Sequence, residues 1–391
     1  MIAPKRHAKP AQGSESRRNP ASVRMGVDQR GRDGPDGMTA DAGRLAEVDG
    51  RPGRASDAAP RPHAARDITM MAMVQDRYGA GEVLQPRDID RSAICADNVL
   101  VRVRAAGVNP ADWAIMRGLP YIARLVYGLR KPKIRVRGTD MAGTVEAVGA
   151  GVRRFRPGDE VFGWSDGSLA EYAAPAEDAL VLKPDNVTVE QAAAVPMAGL
   201  VALQAIRDHG GVSAGHNVLI NGASGGIGIF AVQIAKSFGA HVTGVCSTRN
   251  MDMVRSIGAD EVIDYTAVNF TRGRQRYDVI LDNVANHTLS DLRRVLTPDG
   301  TLVPNGGGFD NHWIASGGRV LKAHLLNRFV GHRLRPFLVS FNHDDLVTLA
   351  ELIDAGTLMP VIDRVYRLSD AAQAIDYVGE GHARGKVVVS V

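Results

Sequence analysis

One stretch constrains this chain more than any other. Val218-Leu219-Ile220 runs into Asn221-Gly222-Ala223-Ser224-Gly225-Gly226-Ile227-Gly228. The three apolar residues read as a buried strand, the glycine-rich run as a tight turn, and residues 227–238 as an amphipathic helix. A second strand, His241–Cys246, follows at the expected distance. Strand, loop, helix and strand form the repeating unit of a doubly wound parallel sheet. Small residues let the backbone approach a pyrophosphate, and free amides at the helix start face the anion. Gly222, Ala223, Ser224, Gly225, Gly226, Ile227 and Gly228 are therefore predicted to hold a dinucleotide, the alternative being a purely structural turn.

The second strand bears on which dinucleotide. An NAD site places an acid about 20 residues after the loop, where it binds the ribose diol. Here the strand ends in Ser247-Thr248-Arg249-Asn250 with no acid. Hydroxyls and a guanidinium suit a 2′-phosphate, so Ser247, Arg249 and Asn250 favour NADP(H); the alternative makes Arg249 a solvated surface charge. Tyr265, after the next strand, lines the cofactor or merely ends the sheet. Asn305 and Gly306 begin a glycine run that either passes close to the nicotinamide or is an ordinary turn.

The rest of the chain divides by texture. Residues 1–68 contain no Phe, Trp or Tyr, and 15 of them are Gly or Pro. Such a segment cannot bury enough apolar surface to offset its ordering entropy, so it is expected to be disordered. It carries 13 basic and 9 acidic residues, the whole of the chain's net +4, while the remainder holds 34 of each. Its readings are a basic arm for nucleic acid or a partner, a passive tail, or sequence upstream of the natural start, since Met70, Met71 and Met73 follow at once. With a formally neutral remainder, no nucleic-acid partner is expected.

Residues 69–192 show short strands at 98–104, 143–148, 159–162 and 179–182 among Gly and Pro turns, the texture of a β-rich domain. Residues 193–338 alternate strand and helix, and residues 339–391 complete a smaller mixed region, with Ser369-Asp370 as a candidate helix cap. The longest apolar stretch, 192–206, is too short for a bilayer and reads as a buried helix, so no membrane span is expected. Cys95 and Cys246 offer neither a disulfide framework nor a cysteine zinc site. With no apolar signal core at the N-terminus, these features lead to the expectation of a cytoplasmic protein.

Several ordered motifs together resemble the medium-chain dehydrogenase/reductase superfamily. They are Ala192-Ala193-Ala194-Val195-Pro196, the glycine loop, Gly258-Ala259-Asp260-Glu261-Val262-Ile263-Asp264-Tyr265 and the terminal Gly385-Lys386-Val387-Val388. Within it the chain is similar to the zinc-free quinone oxidoreductase branch. The cysteine ligand of the zinc enzymes is replaced in Gly107-Val108-Asn109-Pro110-Ala111-Asp112, and their His-Glu pair by Thr139-Asp140. The resemblance implies an α/β protein with a GroES-like catalytic domain and a Rossmann domain, no metal, NADP(H), and a homodimer.

It further implies reduction of a quinone or an activated C=C by hydride transfer, with Asn109 beside the nicotinamide. Asp112 is a second candidate, either orienting the substrate or simply starting a helical turn, with Tyr121 and Trp113 nearby. Lys386 has a structural or a functional role. Alternatives are enoyl-thioester reduction, kept open by the six Lys/Arg at 124–137, a zinc-independent alcohol dehydrogenase, and a non-enzymatic regulatory or RNA-binding protein. A short-chain dehydrogenase is excluded by order: its Tyr-x-x-x-Lys pair would here be Tyr127 and Lys131, before the glycine loop rather than after it.

Overall fold

The computed structural model describes residues 69–91, 93–305, 317–328 and 330–391. The predicted disorder of residues 1–68 and the candidate Gly306 lie outside the described residues.

The described chain begins with a hairpin of β1 (Thr69–Gln75) and β2 (Leu84–Asp90). In β3 (Val99–Val108), Val99, Val101 and Val103 are buried while Arg102 and Arg104 face solvent, so the alternation seen in the sequence sets one face of a sheet. The chain then passes through α1 (Pro110–Arg117) and the exposed turn α2 (Arg124–Tyr127). It returns as β4 (Asp140–Val148), β5 (Glu160–Trp164), β6 (Tyr172–Ala173) and β7 (Leu180–Leu182). The 192–206 stretch is not one helix. It comprises the end of α3 (Val189–Ala193), then α4 (Pro196–Leu203) and a wider π turn from Gln204. Pro196 has no N–H to extend a helix, and sits instead at the start of the next one.

A parallel sheet follows, laid down as β8 (Asn217–Asn221), α5 (Gly228–Ser237), β9 (His241–Cys246), α6 (Met251–Ser256) and β10 (Glu261–Asp264). The chain then jumps to the other side of β8 with β11 (Tyr277–Asp282), α7 (Leu289–Arg293), β12 (Leu296–Pro304), α8 (Gly317–Leu326) and β13 (Arg333–Leu334). The strand order is β10-β9-β8-β11-β12-β13, so the winding reverses between β8 and β11. A crevice opens at the carboxyl ends of the strands at such a reversal, the usual ligand position in this class of sheet.

The remaining elements are α9 (His343–Asp354), β14 (Ile362–Arg367), α10 (Ala371–Gly379) and β15 (Lys386–Ser390). β15 pairs antiparallel with β3, completing a sheet ordered β14-β15-β3-β4-β5-β7. Val387 lies opposite Val108, which brings Lys386 to Asn109 although 277 residues separate them. The Ser369-Asp370 cap does not form: a short 3₁₀ turn precedes α10 and neither side chain bonds its first amides. One continuous apolar core contains Phe162 and Val388 of this sheet together with Ile220, Phe230 and Leu200 on the parallel-sheet side. No helix among the described residues is long and apolar enough to cross a membrane.

Candidate active site

The glycine loop turns out of β8 at Gly222, whose φ of +82° a side chain would strain. A Cβ on Gly228 would fall 2.1 Å from the Gly222 carbonyl, so that glycine closes the loop on itself. Gly225 and Gly226 differ. A Cβ there would meet nothing closer than Gly222 O at 3.5 Å and Lys386 Cδ at 3.1 Å respectively. The protein itself leaves this bare backbone open. The amides of Gly222 and Ala223 bond to Val245 O and that of Gly225 to Gly222 O, Gly225 and Gly226 run beside Gly385 in a parallel bridge, and the Ile227 amide has no backbone partner among the described residues. Ala223 is fully buried below the loop, beside Gly244 of β9.

Ser224 links this loop to the end of β9, its hydroxyl accepting from Asn250 Nδ2 at 3.0 Å. Asn250 is buried, bonds Ser247 as well, and leaves its Oδ1 with no partner. Arg249 is exposed and donates to His382 O at 3.2 Å, while Arg384 donates to Arg249 O at 3.3 Å. Two arginines are thus tied together at the strand end through backbone carbonyls, the second missed by sequence reading because it comes from the far end of the chain. An acid is near after all: Asp264 of β10 accepts from Thr248 at 2.5 Å and from Thr266 at 2.7 Å. Hydroxyl bonds from Thr248 and Thr266 hold its pKa below the ordinary value. Tyr265, half exposed, is tied here by its amide to Cys246 O.

At the carboxyl ends of β8, β11 and β12 stands a polar knot the sequence did not announce. Asp282 is fully buried, ion-paired with Arg319 of α8 and bonded by Asn221 Nδ2 at 2.7 Å. Asn305 donates its amide to Asp282 O and its Nδ2 to Asn283 Oδ1, whereas Asn283 Nδ2 is buried with no partner among the described residues. The available signal was slight: an acid closing the apolar strand Tyr277–Asp282.

The second cluster lies where β3, β4 and β15 meet. Asn109 precedes Pro110 of α1, and Asp112 Oδ2 accepts its backbone N–H at 2.8 Å. A carboxylate reaching back in this way fixes a helix start. Asp112 is buried, and burial pushes its carboxyl up to about 7 against the bond from Asn109. The Asn109 side chain spans two charged groups, its Nδ2 donating to Asp140 Oδ2 at 2.9 Å and its Oδ1 accepting from Lys386 Nζ at 2.5 Å. Lys386 Nζ also lies 3.3 Å from Val108 O and 3.7 Å from Asp140, whose other oxygen accepts from Met197 N–H. Burial lowers the Lys386 pKa and raises that of Asp140, each opposed by the other's charge. Trp113 faces α10, where a Cβ on Gly379 would touch its ring, rather than standing as a free wall.

The two clusters adjoin. Gly385 N–H bonds Ser224 O at 2.9 Å, and the Lys386 stem runs past Gly226 to reach Asn109. The structure therefore gathers the glycine loop, Ser247, Arg249, Asn250 and Tyr265 at one end, with Asn109 and Asp112 joined to the loop through β15.

The description "Alcohol dehydrogenase GroES-like domain" matches residues 95–185, and "Zinc-binding dehydrogenase" matches residues 257–389. The mouse mitochondrial NAD(P)H oxidoreductase RTN4IP1 is 36% identical over 84% of this chain and 91% of its own length. The chain belongs to the quinone oxidoreductase branch of the medium-chain dehydrogenase/reductase superfamily. The chloroplastic quinone oxidoreductase QR1 of Triphysaria versicolor is 34% identical, over 82% of this chain and 98% of the relative. The solved structure of the Coxiella burnetii quinone oxidoreductase superposes with a TM-score of 0.72 at 28% identity, covering 83% of this chain and all of the other.

Membership of this branch makes the chain an oxidoreductase of GroES-like and Rossmann-like architecture that binds a nicotinamide dinucleotide. The residues fit that cofactor: the open backbone at Gly225 and Gly226 and the unpaired Asn250 Oδ1 are what a pyrophosphate and a ribose hydroxyl would occupy. Among the described residues no three His, Cys, Asp or Glu are gathered to hold a metal. The cytoplasmic location expected from composition is overturned by the relatives above, which are named mitochondrial and chloroplastic. Cysteine count and the absence of a signal core carry no information that separates these compartments.

Proposed function

We propose that the chain is an NADPH-dependent reductase of quinones or enones that works without zinc. One observation carries this reading. Asn109, a neutral amide between buried charges, stands at the zinc enzymes' ligand position, one lysine side chain from the dinucleotide loop. Bound NADPH would supply the hydride. The Ile227 amide and the open face at Gly225 and Gly226 would meet its pyrophosphate, Asn250 Oδ1 would accept from a ribose hydroxyl, and Ser247, Arg249 and Arg384 would surround the 2′-phosphate beside it. Asp264 is committed to Thr248 and Thr266, which supports NADPH over NADH. Tyr265 would hold the adenosine side of the cofactor, and Asn305 the nicotinamide side.

Asn109 would donate a hydrogen bond to the acceptor oxygen, where charge develops as hydride arrives. Asp112 acts through α1, holding Asn109 in place. Water supplies the proton that balances a two-electron reduction. Absorbance at the reduced-nicotinamide band, with NADPH and NADH in turn, tests this against quinones, 2-alkenals, enoyl thioesters and aldehydes. Turnover of a quinone or 2-alkenal with at least about tenfold preference for NADPH is expected, as a 2′-phosphate held by two guanidiniums implies. No turnover of any quinone or enone overturns the reading.

A further inference from the structure

The Asn109 side chain has only one orientation open to it. An ammonium can only donate and an ionised carboxylate can only accept. Lys386 Nζ at 2.5 Å therefore demands Oδ1 on its side, and Asp140 Oδ2 at 2.9 Å demands Nδ2 on the other. Both charged groups are themselves held. Asp140 Oδ1 accepts from Met197 N–H at 3.0 Å, and Lys386 has Val108 O at 3.3 Å. Lys386 and Asp140 are almost wholly buried, so water does not compete for the two bonds that they make to Asn109. What remains is the second N–H of Asn109, which has no partner among the described residues.

We propose that Lys386 and Asp140 are positioning residues that lock Asn109 as a single hydrogen-bond donor to the oxygen of the bound quinone or enone. The inference rests on the reductase reading above and adds to it the devices that set the amide's direction. An ammonium drawing on the oxygen of an amide also polarises the group, so its free N–H donates more strongly. The clamp is registered to the cofactor seat, because Gly385 bonds Ser224 O and pairs with Gly225 in a β-bridge. Hydride source and oxygen donor are thus set from one strand end.

Lys386→Gln and Lys386→Met separate this role from that of a structural ion pair. Both remove the charge on a stem one bond shorter than that of lysine, so both strain Asp140 alike, but only Gln carries a donor to turn toward Asn109 Oδ1. Steady-state kcat with a quinone, and the NADPH dissociation constant from fluorescence, are measured for each variant alone and combined with Asn109→Ala. Asn109→Ala is expected to lower kcat about a hundredfold, the scale of a lost oxyanion donor. Lys386→Met should fall at least about tenfold below Lys386→Gln at equal NADPH affinity, and should cost nothing further once Asn109 is Ala.

Equal kcat for the Gln and Met variants, or losses that multiply with Asn109→Ala, overturns the clamp. Full kcat in Asn109→Ala alone overturns the reading of Asn109 as donor, a distinct failure. Neutron diffraction of the wild-type protein reads the amide directly, independent of how any variant folds. Oxygen toward Lys386 is the expected result, and nitrogen toward it rejects the proposal.

Discussion

Asp112 shows how burial at a single residue makes stability depend on pH. Its carboxyl is pushed up to about 7 from an ordinary 3.8, first by desolvation and then by the Asp140 charge. Between these values the native state holds the proton and the unfolded chain does not. Stability contributed by this group is therefore present at low pH and is lost as pH rises through 7. Asp112→Asn carries no charge and keeps an oxygen for the Asn109 N–H. Urea melts at pH 5 and pH 8 should show a flatter pH dependence for the variant, with a gain over wild type of about 1–3 kcal/mol at pH 8. Its kcat should stay within about threefold of wild type, since the residue acts on the helix start; a larger loss would restore Asp112 to direct contact with substrate. At this scale the sequence was legible where neighbours in the chain do the work, as in Asn109-Pro110-x-Asp112. The partnership of Asn109 with Lys386 was not, because it follows from β15 pairing with β3, and no local pattern encodes strand order.

The glycines of the loop serve two different ends, and single substitutions separate them. A Cβ at Gly228 collides with the Gly222 carbonyl at 2.1 Å, backbone against backbone with nothing flexible to yield. Gly228→Ala should therefore lower the thermal midpoint by several degrees as well as weakening NADPH binding. At Gly226 a Cβ meets only the Lys386 stem at 3.1 Å and Gly385 O at 3.5 Å. Gly226→Ala should leave the midpoint within about 2 °C while weakening NADPH binding about tenfold or more, because the added methyl sits where the pyrophosphate approaches. Melting followed by dye fluorescence and titration of NADPH fluorescence check both. If the two variants lose stability equally, the open face at Gly226 is structural after all. The βαβ alternation was legible from hydrophobic period alone, since each parallel strand is a short apolar run bounded by turns. Departures occur where tertiary contacts take over. Pro196 and the π turn split the apolar stretch, with Gln204 anchored across the fold to Ser340 and Asp345. At α10 a 3₁₀ turn replaces the expected side-chain cap.

At the scale of the whole molecule, the first strand of the described chain carries part of the core. Sequence texture placed a boundary at residue 68, and β1 starts at Thr69. β1 is not an ornament on the sheet: Met70, Ala72, Met73 and Val74 are buried, and Met73 N–H bonds Leu169 O at 2.9 Å. Gln75 is buried too, with its Nε2 on Met116 O at 2.6 Å, at the end of α1 whose start holds Asn109. Removing residues 1–68 takes away all of the formal +4 and none of these contacts. That truncation should keep kcat/KM within about twofold, with loss of retention on a cation exchanger near neutral pH as the net charge falls to zero. Removing residues 1–76 deletes two buried methionines, each of the size that costs about 2–5 kcal/mol when truncated in a core. It also strips β2 of its only partner in the hairpin. Against a typical total of about 5–15 kcal/mol, this shorter chain should not fold, and circular dichroism with gel filtration would show it. A several-fold loss of kcat/KM on removing residues 1–68 alone would mean that this segment contributes to the reaction, contrary to the reading of it as a passive tail.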